Sequence, residues 1–279
     1  MCRLLGYASL TERTTQSVLG GNQGAVFQDM THLHKDGWGS AWLSCPGVGA
    51  TDGSALVSRE TSPHTGAGDY RLTAALTERE STAQIVHLRM ATDGMACQPV
   101  NTHPFLADDL SFAHNGSLTP TSIIEDHISA DILASLKGDT DSERYFAVIR
   151  TKLADGAELF DAVCETVSEL RQLFPHASMN ALILSPTKLI AVHANDGARV
   201  PVEDFDASGI ADEYFPRDHR TAYYLMRQRT LDDGTIMFAS SGLDIIGWEP
   251  LPAESVTSVD LHTREVVTRI VERSLTLTA

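Results

Sequence analysis

The sequence opens with Met1-Cys2-Arg3-Leu4-Leu5-Gly6-Tyr7-Ala8, in which a cysteine directly precedes an apolar run that predicts a β-strand over Leu4 to Ala8. Methionine is normally removed when a small residue follows it, so we expect the mature chain to begin at Cys2. That residue would then carry both a thiol and a free α-amine, whose ordinary pKa of about 7.7–8.0 allows it to accept the thiol proton. A nucleophile with its own base needs no separate histidine. A cysteine can equally be buried and inert, so the hypothesis depends on the groups around it.

A second segment, His114-Asn115-Gly116-Ser117, follows the predicted apolar strand Leu110 to His114. Acyl transfer requires hydrogen-bond donors at the point where the tetrahedral oxyanion develops. The side-chain amide of Asn115 could supply one donor, and Gly116 permits a close approach of the backbone. The alternative interpretation is an Asn-Gly turn that ends the strand.

Two charged residues are candidates for binding an amino-acid substrate. Arg89, in His87-Leu88-Arg89-Met90-Ala91-Thr92, ends another apolar strand and could bind a carboxylate through two hydrogen bonds. Asp141, in Thr140-Asp141-Ser142-Glu143, could hold an ammonium group. The alternative for Arg89 is a surface salt bridge, and the alternative for Asp141 is a favourable charge at a helix N-terminus.

The composition favours a globular protein and disfavours several classes of partner. The chain has 279 residues, 42% of them hydrophobic and 21% charged, and a formal net charge of -16. A nucleic acid or an anionic membrane surface would be repelled by that charge. The longest apolar runs fall far short of the ~20 residues of a membrane span, and the amino terminus lacks the apolar region of a signal peptide. We therefore expect a cytoplasmic protein with neither a membrane nor a nucleic-acid partner, and free thiols at Cys2, Cys45, Cys97 and Cys164.

Hydrophobic periodicity predicts short strands and Gly-rich turns up to residue 115, then three helices, then strands again. The predicted strands are Leu4–Ala8, Trp38–Leu43, Ala55–Arg59, Gln84–Met90, Leu110–His114, Ser178–Ser185, Lys188–Ala194, Ala222–Met226, Thr235–Ser240, Ser255–Leu261 and Glu265–Ile270. The helices are expected to begin at Thr119-Pro120, at a capping box over Thr140 to Glu143 and near Phe160. This order favours an α+β fold with antiparallel sheets in a single domain over residues 1–279. The acidic segment 203–217 is expected to be irregular, as a solvated loop or as a flap over a site.

Six blocks between residue 1 and residue 143 carry further information when they are taken together. They are Met1-Cys2-Arg3-x-x-Gly6-Tyr7, Asp36-Gly37-Trp38-Gly39, His87-Leu88-Arg89-Met90-Ala91-Thr92, Asn101-Thr102-His103-Pro104-Phe105, His114-Asn115-Gly116 and Thr140-Asp141-Ser142-Glu143. Their order and spacing resemble the class II glutamine amidotransferases, which are N-terminal-nucleophile hydrolases. The stand-alone members, including the ergothioneine-pathway γ-glutamyl hydrolase, look most similar, since they share the Met-Cys-Arg start and lack a synthase domain.

The resemblance implies a four-layer αββα sandwich of two antiparallel sheets and a role for each matching residue. Cys2 matches the nucleophile, and Asn115 and Gly116 match the oxyanion hole. The substrate-binding matches are Arg89 at the α-carboxylate, Asp141 at the α-ammonium, and Thr92. The supporting matches are His103, to which we assign a structural role, and a glycine-rich strand expected to orient the nucleophile, formed by Asp36, Gly37, Trp38 and Gly39. The implied chemistry requires no metal and no organic cofactor.

The chain also departs from the family pattern, because Met90 and Asp93 stand where many synthase-linked members have Trp and His. That edge of the glutamine pocket is therefore expected to have a different shape. We expect hydrolysis of a small-molecule γ-glutamyl amide through a γ-glutamyl thioester. Two alternatives stay open: a glutaminase subunit that passes ammonia to a synthase partner, and a catalytically silent binding or regulatory subunit, with a homo-oligomer compatible with each. A metalloprotein is disfavoured, because His32-x-His34 and the other histidines lack familiar ligand spacing.

Overall fold

A computed structural model describes residues 2–44, 55–91 and 96–271, and all strand pairings in it are antiparallel. The strands are β1 (Arg3–Arg13), β2 (Trp38–Ser44), β3 (Leu56–Ser62), β4 (Ser81–Leu88), β5 (Phe105–Ala107), β6 (Leu110–Asn115), β7 (Asn180–Leu184), β8 (Lys188–His193), β9 (Arg227–Thr230), β10 (Ile236–Ala239), β11 (Glu249–Pro250), β12 (Ser255–Asp260) and β13 (Val266–Ile270). The helices are α1 (Thr15–Leu19), α2 (Gln23–Asp29), α3 (Tyr70–Thr77), α4 (Ser122–Glu125), α5 (Ala130–Ala134), α6 (Asp141–Ala154), α7 (Leu159–Leu173), α8 (Val202–Ala207) and α9 (His219–Ala222). Short 3-10 turns occupy Met30–His32, Pro99–Asn101 and Asp212–Tyr214.

The strands form two sheets, and β1 lies near the middle of the first. The first sheet has the order β11-β9-β10-β1-β4-β2-β3, and the second has the order β13-β12-β8-β7-β6-β5. Strand β1 is buried on both faces because alternate side chains enter two different hydrophobic clusters. Leu4 faces the second sheet, and Leu5 faces helices. Gly6 allows the sheets to approach each other, since a Cβ there would lie 3.1 Å from Leu182 Cδ1.

Three hydrophobic clusters separate four layers. One cluster packs α1, α2 and α3 against the first sheet, and includes Leu5, Phe27 and Leu72. The second fills the space between the sheets, where Leu4 meets Leu182. The third packs α6 and α7 against the second sheet, and includes Phe112, Tyr145 and Val163. This arrangement confirms the predicted α+β architecture, an αββα sandwich of two antiparallel sheets.

The prediction that only strands and turns precede residue 115 is wrong, because α1, α2 and α3 lie in that part of the chain. These helices have five to eight residues, too few turns for a helical repeat to stand out. Capping side chains begin two of them: Thr14 Oγ1 accepts from Ser17 N, and Asp69 Oδ1 accepts from Arg71 N. Local capping and tertiary packing therefore form helices that periodicity does not reveal.

The predicted strand Ala222–Met226 is also wrong. Helix α9 ends at Ala222, and the next strand, β9, begins only at Arg227. Tyr223 and Tyr224 are buried in a separate aromatic cluster with Phe205 of α8. Burial in that cluster, and not membership of a strand, accounts for the apolar and aromatic residues at these positions.

The helix predicted to begin at Thr119-Pro120 is interrupted. It forms α4 and α5, because Ser129 adopts an extended backbone with a ψ of 146° and begins a new helix. At α6 the predicted cap is present, since Thr140 Oγ1 accepts from Glu143 N at 3.1 Å. Glu143 does not complete a capping box, because its carboxylate accepts from Lys137 N and Gly138 N.

The acidic segment 203–217 is more ordered than predicted. Most of α8 and a 3-10 turn lie within it, and the side chain of Phe205 is buried. In the described ranges every helix is too short or too polar to cross a membrane. Cys45 lies outside the described residues, whereas Cys2, Cys97 and Cys164 have free thiols.

Candidate active site

Strand ends from both sheets meet around Cys2. Cys2 immediately precedes β1, Arg89 immediately follows β4, and Asn115 ends β6 of the second sheet. A small pocket at this point has a volume of about 20 Å³, room for roughly one water molecule. Its lining brings together five of the predicted site residues, Cys2, Arg89, His103, Gly116 and Asp141. The other residues of the lining are Met90, Ala91, Asn101, His114, Thr140 and Ser142.

The Asn115 amide is oriented by the nitrogen of Cys2. Cys2 N donates to Asn115 Oδ1 at 2.8 Å, and this fixes which end of the amide faces the backbone. Asn115 is fully buried, and its Nδ2 has no hydrogen-bond partner within the part of the chain that the structure describes. A buried donor without a partner is rare in proteins and costs free energy. An available donor therefore lies next to the cysteine.

Gly116 has a steric reason to be glycine. A Cβ at this position would lie 1.8 Å from Ser178 O and 2.6 Å from His114 Nε2. Ser178 also donates from Oγ to Asn115 O at 2.7 Å. The backbone around Gly116 is therefore pressed against the chain before β7, which fixes the end of β6.

The Cys2 thiol is buried, but its surroundings favour the thiolate. Burial by itself would raise the pKa of this thiol, and the positive charge of the amino terminus and the contact with His103 outweigh that effect. Together they lower the pKa of Cys2 to about 6. A substantial thiolate fraction is consequently present at neutral pH, as a nucleophilic cysteine requires.

A pair of buried histidines lies beside Cys2, and one of them was not predicted. His103 Nδ1 is 2.9 Å from His87 Nε2, and the same His87 nitrogen is 3.3 Å from His114 O. Burial lowers the pKa of His103 to about 3 and lowers the pKa of His87 well below its ordinary value. Both rings are therefore neutral near pH 7. The available signal for His87 was its place two residues before Arg89, on the same face of an extended chain.

Donor atoms of Cys2, His87 and His103 lie within 4.8 Å of one another, a spacing that invites a test for metal binding. Metal ligation would require the nitrogen lone pairs to point toward a common centre. The 2.9 Å contact instead joins a His103 nitrogen to a His87 nitrogen. The arrangement is therefore that of a hydrogen-bonded pair. His34 faces His219 and His32 faces Tyr214, so the His32-x-His34 pair does not form a joint ligand set.

Arg89 is held by the segment Asp36–Gly39. Its Nη1 donates to Asp36 O at 3.2 Å and to Cys97 Sγ at 3.4 Å. The Asp36 carboxylate accepts from Ala91 N at 2.8 Å, and Gly37 O accepts from Arg89 N at 2.8 Å. These contacts fix the chain that follows β4. Strand β4 lies between β1 and β2. The segment Asp36–Gly39 therefore positions Arg89 and does not orient Cys2 directly.

The other residues of that segment serve packing. Trp38 is fully buried, and its Nε1 donates to Asp69 Oδ2 at 2.9 Å. A Cβ on Gly39 would lie 2.3 Å from His103 O and 2.8 Å from Pro104 Cδ. Because Gly39 has no side chain, the segment that carries His103 can pack directly against β2.

Asp141 is the first residue of α6, and its side chain already has protein partners. Its Oδ2 accepts from Leu118 N at 2.6 Å, and its Oδ1 lies 3.5 Å from Ser142 Oγ. His114 Nε2 donates to Ser178 O at 3.0 Å, so its Nδ1 must accept from Ser142 Oγ, 2.9 Å away. This network fixes the carboxylate at the pocket wall. Thr92 and Asp93 lie outside the described residues.

Comparisons with known proteins show the family to which the chain belongs. Residues 1–203 match the family model described as class II glutamine amidotransferases. Over 133 residues the chain is 35% identical to the isomerizing glutamine–fructose-6-phosphate aminotransferase of Pseudomonas syringae pv. tomato, a match that covers 44% of this chain and 20% of the relative. It is 23% identical over 222 residues to the γ-glutamyl-hercynylcysteine sulfoxide hydrolase of Mycolicibacterium smegmatis, covering 74% of this chain and 88% of the hydrolase.

A solved structure shows that the fold is shared. The class II glutamine aminotransferase domain protein of Silicibacter pomeroyi superposes with a TM-score of 0.61 at 16% identity. The superposition covers 97% of this chain and 100% of that protein. The chain thus matches only a fifth of the length of the Pseudomonas aminotransferase, whereas it matches nearly all of two smaller proteins.

Proposed function

The chain belongs to the class II glutamine amidotransferases, an enzyme family, and we propose that it hydrolyses a γ-glutamyl amide with Cys2 as the nucleophile. The observation that carries the proposal is the orientation of Asn115, whose Oδ1 accepts from Cys2 N while its buried Nδ2 has no partner among the described residues. That donor is available for a charge that develops only during the reaction. Such preorganised donors are a major source of acyl-transfer catalysis.

The proposed reaction begins after removal of Met1, when the Cys2 nitrogen becomes a free α-amine. The amine takes the thiol proton, and the sulfur attacks the γ-carbonyl carbon to form a C–S bond. Asn115 Nδ2 and Gly116 N–H donate to the resulting oxyanion. The C–N bond then breaks as the amine returns its proton to the leaving nitrogen, which departs as ammonia or an amine. Water cleaves the remaining γ-glutamyl thioester, and this releases glutamate and restores the thiol.

Arg89 and Asp141 are proposed to bind the amino-acid end of the substrate, at the α-carboxylate and the α-ammonium. Both are buried and both line the pocket with Cys2. Opposite charges on two walls of one pocket suit a zwitterionic group. The enclosed part of the pocket has a volume of only about 20 Å³, so binding of a glutamyl chain is proposed to include an outward displacement of part of the lining. Thr92 remains a proposed contact of the same substrate group.

The leaving group is proposed to be larger than ammonia. Met90, whose carbonyl lies 3.9 Å from Cys2 Sγ, packs against the aromatic cluster of Phe205, Tyr223 and Tyr224. The segment from α8 to α9 therefore borders the site next to Met90, the position at which many synthase-linked members have Trp. The match to 88% of the length of the γ-glutamyl-hercynylcysteine sulfoxide hydrolase supports this choice. Ammonia delivery to a separate synthase is the alternative that the following experiment tests.

A substrate panel tests the proposal. Glutamate release is measured from glutamine, γ-glutamyl alkylamines, γ-glutamyl dipeptides and matched α-glutamyl amides. We expect activity on the γ-linked compounds only, with kcat/KM higher for a γ-glutamyl amine than for glutamine. The Cys2→Ala variant should be inactive, and Cys164→Ala should be fully active, because burial raises the pKa of the Cys164 thiol to about 11 within a hydrophobic cluster. Preference for glutamine would instead support ammonia delivery, and activity in Cys2→Ala would refute the proposed nucleophile.

A further inference from the structure

We infer that His103 is a catalytic residue whose Nε2–H donates a hydrogen bond to the Cys2 thiolate, and that His87 positions it by fixing which His103 nitrogen carries the proton. This inference rests on the proposed role of Cys2 as the nucleophile. It gives the two histidines a task that the α-amine cannot perform. The amine removes the proton, and His103 stabilises the sulfur anion that remains.

The proton positions follow from the hydrogen-bond partners of His87. A carbonyl oxygen only accepts, so the 3.3 Å contact with His114 O requires the proton of His87 to be on Nε2. The same N–H lies 2.9 Å from His103 Nδ1. His103 Nδ1 must then be the unprotonated, accepting nitrogen. A neutral His103 consequently carries its proton on Nε2.

Burial keeps the rings of His87 and His103 neutral near pH 7. His87 is fully buried and His103 is 4% exposed. Because burial lowers the pKa of His103 to about 3, this ring is a poor base near pH 7. Its remaining capability is to donate from Nε2.

Cys2 is the partner proposed for this donor. His103 Nε2 is buried and has no partner in the described ranges under standard hydrogen-bond geometry. A ring nitrogen of His103 lies within 4.8 Å of Cys2 Sγ, and the contact with His103 lowers the pKa of the Cys2 thiol. Catalytic hydrogen bonds are often long in the free enzyme and shorten as charge develops. The orphaned donor is thus satisfied when the thiolate forms.

Aromatic contacts hold the two histidine rings in a defined relative orientation. His87 and His103 meet edge to face, with ring centroids 4.4 Å apart and planes at 78°. Phe105 also packs edge to face against His103, with ring centroids 4.7 Å apart. Two aromatic neighbours therefore restrict the rotation of His103.

Other charged or titratable groups also act on this cluster and must stay unchanged in a test. Around Cys2, His87 and His103 they are the amino terminus, Arg89, His114, Tyr223 and Tyr224. Asp141 acts on His114. Substitution of His103 alone leaves all of these groups in place.

The test measures the alkylation rate of Cys2 by iodoacetamide between pH 4.5 and 9, with the site verified by peptide mass and loss of Met1 verified by intact mass. The variants are His103→Met, which removes the donor, and His103→Gln, which keeps an N–H donor at similar reach. His193→Gln is the control, because His193 is a buried histidine that bonds to Leu251 O and Pro252 O away from the site.

We expect the alkylation midpoint of the unmodified enzyme well below the ordinary pKa of a cysteine thiol. His103→Met should raise it by about one to two pH units, the range for a hydrogen bond to a charged group. His103→Gln should raise it by less than half as much, and His193→Gln should leave it unchanged. Equal midpoints in His103→Met and the unmodified enzyme would overturn the inference, as would equal shifts in His103→Met and His103→Gln.

Alkylation needs no turnover, so the result is separate from the proposed function. An enzyme that hydrolyses none of the panel substrates but shows the His103-dependent midpoint would retain the inference and lose the proposed activity. The reverse result would keep the activity and reject the role of His103. Thermal unfolding of each variant at pH 7 confirms that the measured thiol belongs to folded protein.

Discussion

The orientation of Asn115 makes Asn115→Ala the sharpest perturbation of the proposed oxyanion hole. The substitution removes Nδ2, which has no hydrogen-bond partner within the described residues, and Oδ1, which accepts from Cys2 N at 2.8 Å. Loss of one oxyanion donor typically lowers kcat by 10²–10³, or about 2.7–4 kcal/mol of transition-state stabilisation. Loss of the acceptor leaves one buried N–H unsatisfied and should lower the free energy of unfolding by about 1–3 kcal/mol.

A matched substitution separates catalysis from stability. Asn180 lies opposite Asn115 in the β6–β7 register, and its amide is fully used, with Oδ1 accepting from Ala194 N at 2.9 Å and Nδ2 donating to Tyr224 O. Asn180→Ala should therefore destabilise the fold at least as much as Asn115→Ala, while kcat changes by less than tenfold.

The assay combines steady-state glutamate release with chemical denaturation of both variants. If Asn115→Ala keeps kcat within threefold of the unmodified enzyme, Asn115 has no part in stabilising the oxyanion. If Asn180→Ala loses as much kcat as Asn115→Ala, the effect is one of packing and the reasoning from the orphaned Nδ2 is refuted.

Three further predictions concern substrate binding, packing and pH. Arg89→Lys should raise KM for the best panel substrate about tenfold or more, because a lysine cannot make the paired hydrogen bonds to a carboxylate; an unchanged KM in steady-state assays would argue against this contact. Gly39→Ala should lower the free energy of unfolding by about 1–3 kcal/mol, since its Cβ would lie 2.3 Å from His103 O. Chemical denaturation of Gly39→Ala beside the unmodified protein measures this loss, and equal stabilities would contradict the steric argument. Burial lowers the pKa of His219 to about 2. Below pH 6.5 His219 therefore binds a proton in the unfolded chain but not in the folded protein. Stability should fall by about 2 kcal/mol at pH 5 from this residue, and His219→Gln should show a smaller loss of Tm between pH 7 and pH 5 than the unmodified protein.

The two-sheet architecture was predictable because its strands carry clear local signals. Strand β1 alternates between two buried faces, and β7 and β8 are continuous apolar runs. The residues that end such strands, Arg89 and Asn115, were also predictable as site candidates, because strand ends in adjacent sheets can converge. Helices α1 to α3 were missed because each is short and depends on packing against Leu5 and Tyr7.

The parts of the site that sequence did not reveal depend on contacts between distant segments. His87 meets His103 only because β4 lies beside β1 and the 96–105 chain crosses the end of β2. Likewise, Asp36 could be assigned to the site, but its contacts with Arg89 and Ala91 follow from the β2–β4 pairing. Tyr223 and Tyr224 resembled strand residues, since local pattern cannot distinguish a buried aromatic cluster from a β-strand.

The most direct test of Cys2 as an N-terminal nucleophile is the intact mass of the purified protein before and after treatment with 6-diazo-5-oxo-norleucine, a glutamine-like electrophile. We predict a mass that lacks Met1, a single covalent adduct on Cys2, and no adduct in Cys2→Ala. The buried position of Cys2 among Arg89, Asn115 and Asp141 makes labelling of the exposed Cys97 a distinguishable result. A protein that retains Met1 and takes up no label would contradict the account, because Cys2 would then have neither its base nor a pocket that accepts a glutamyl group.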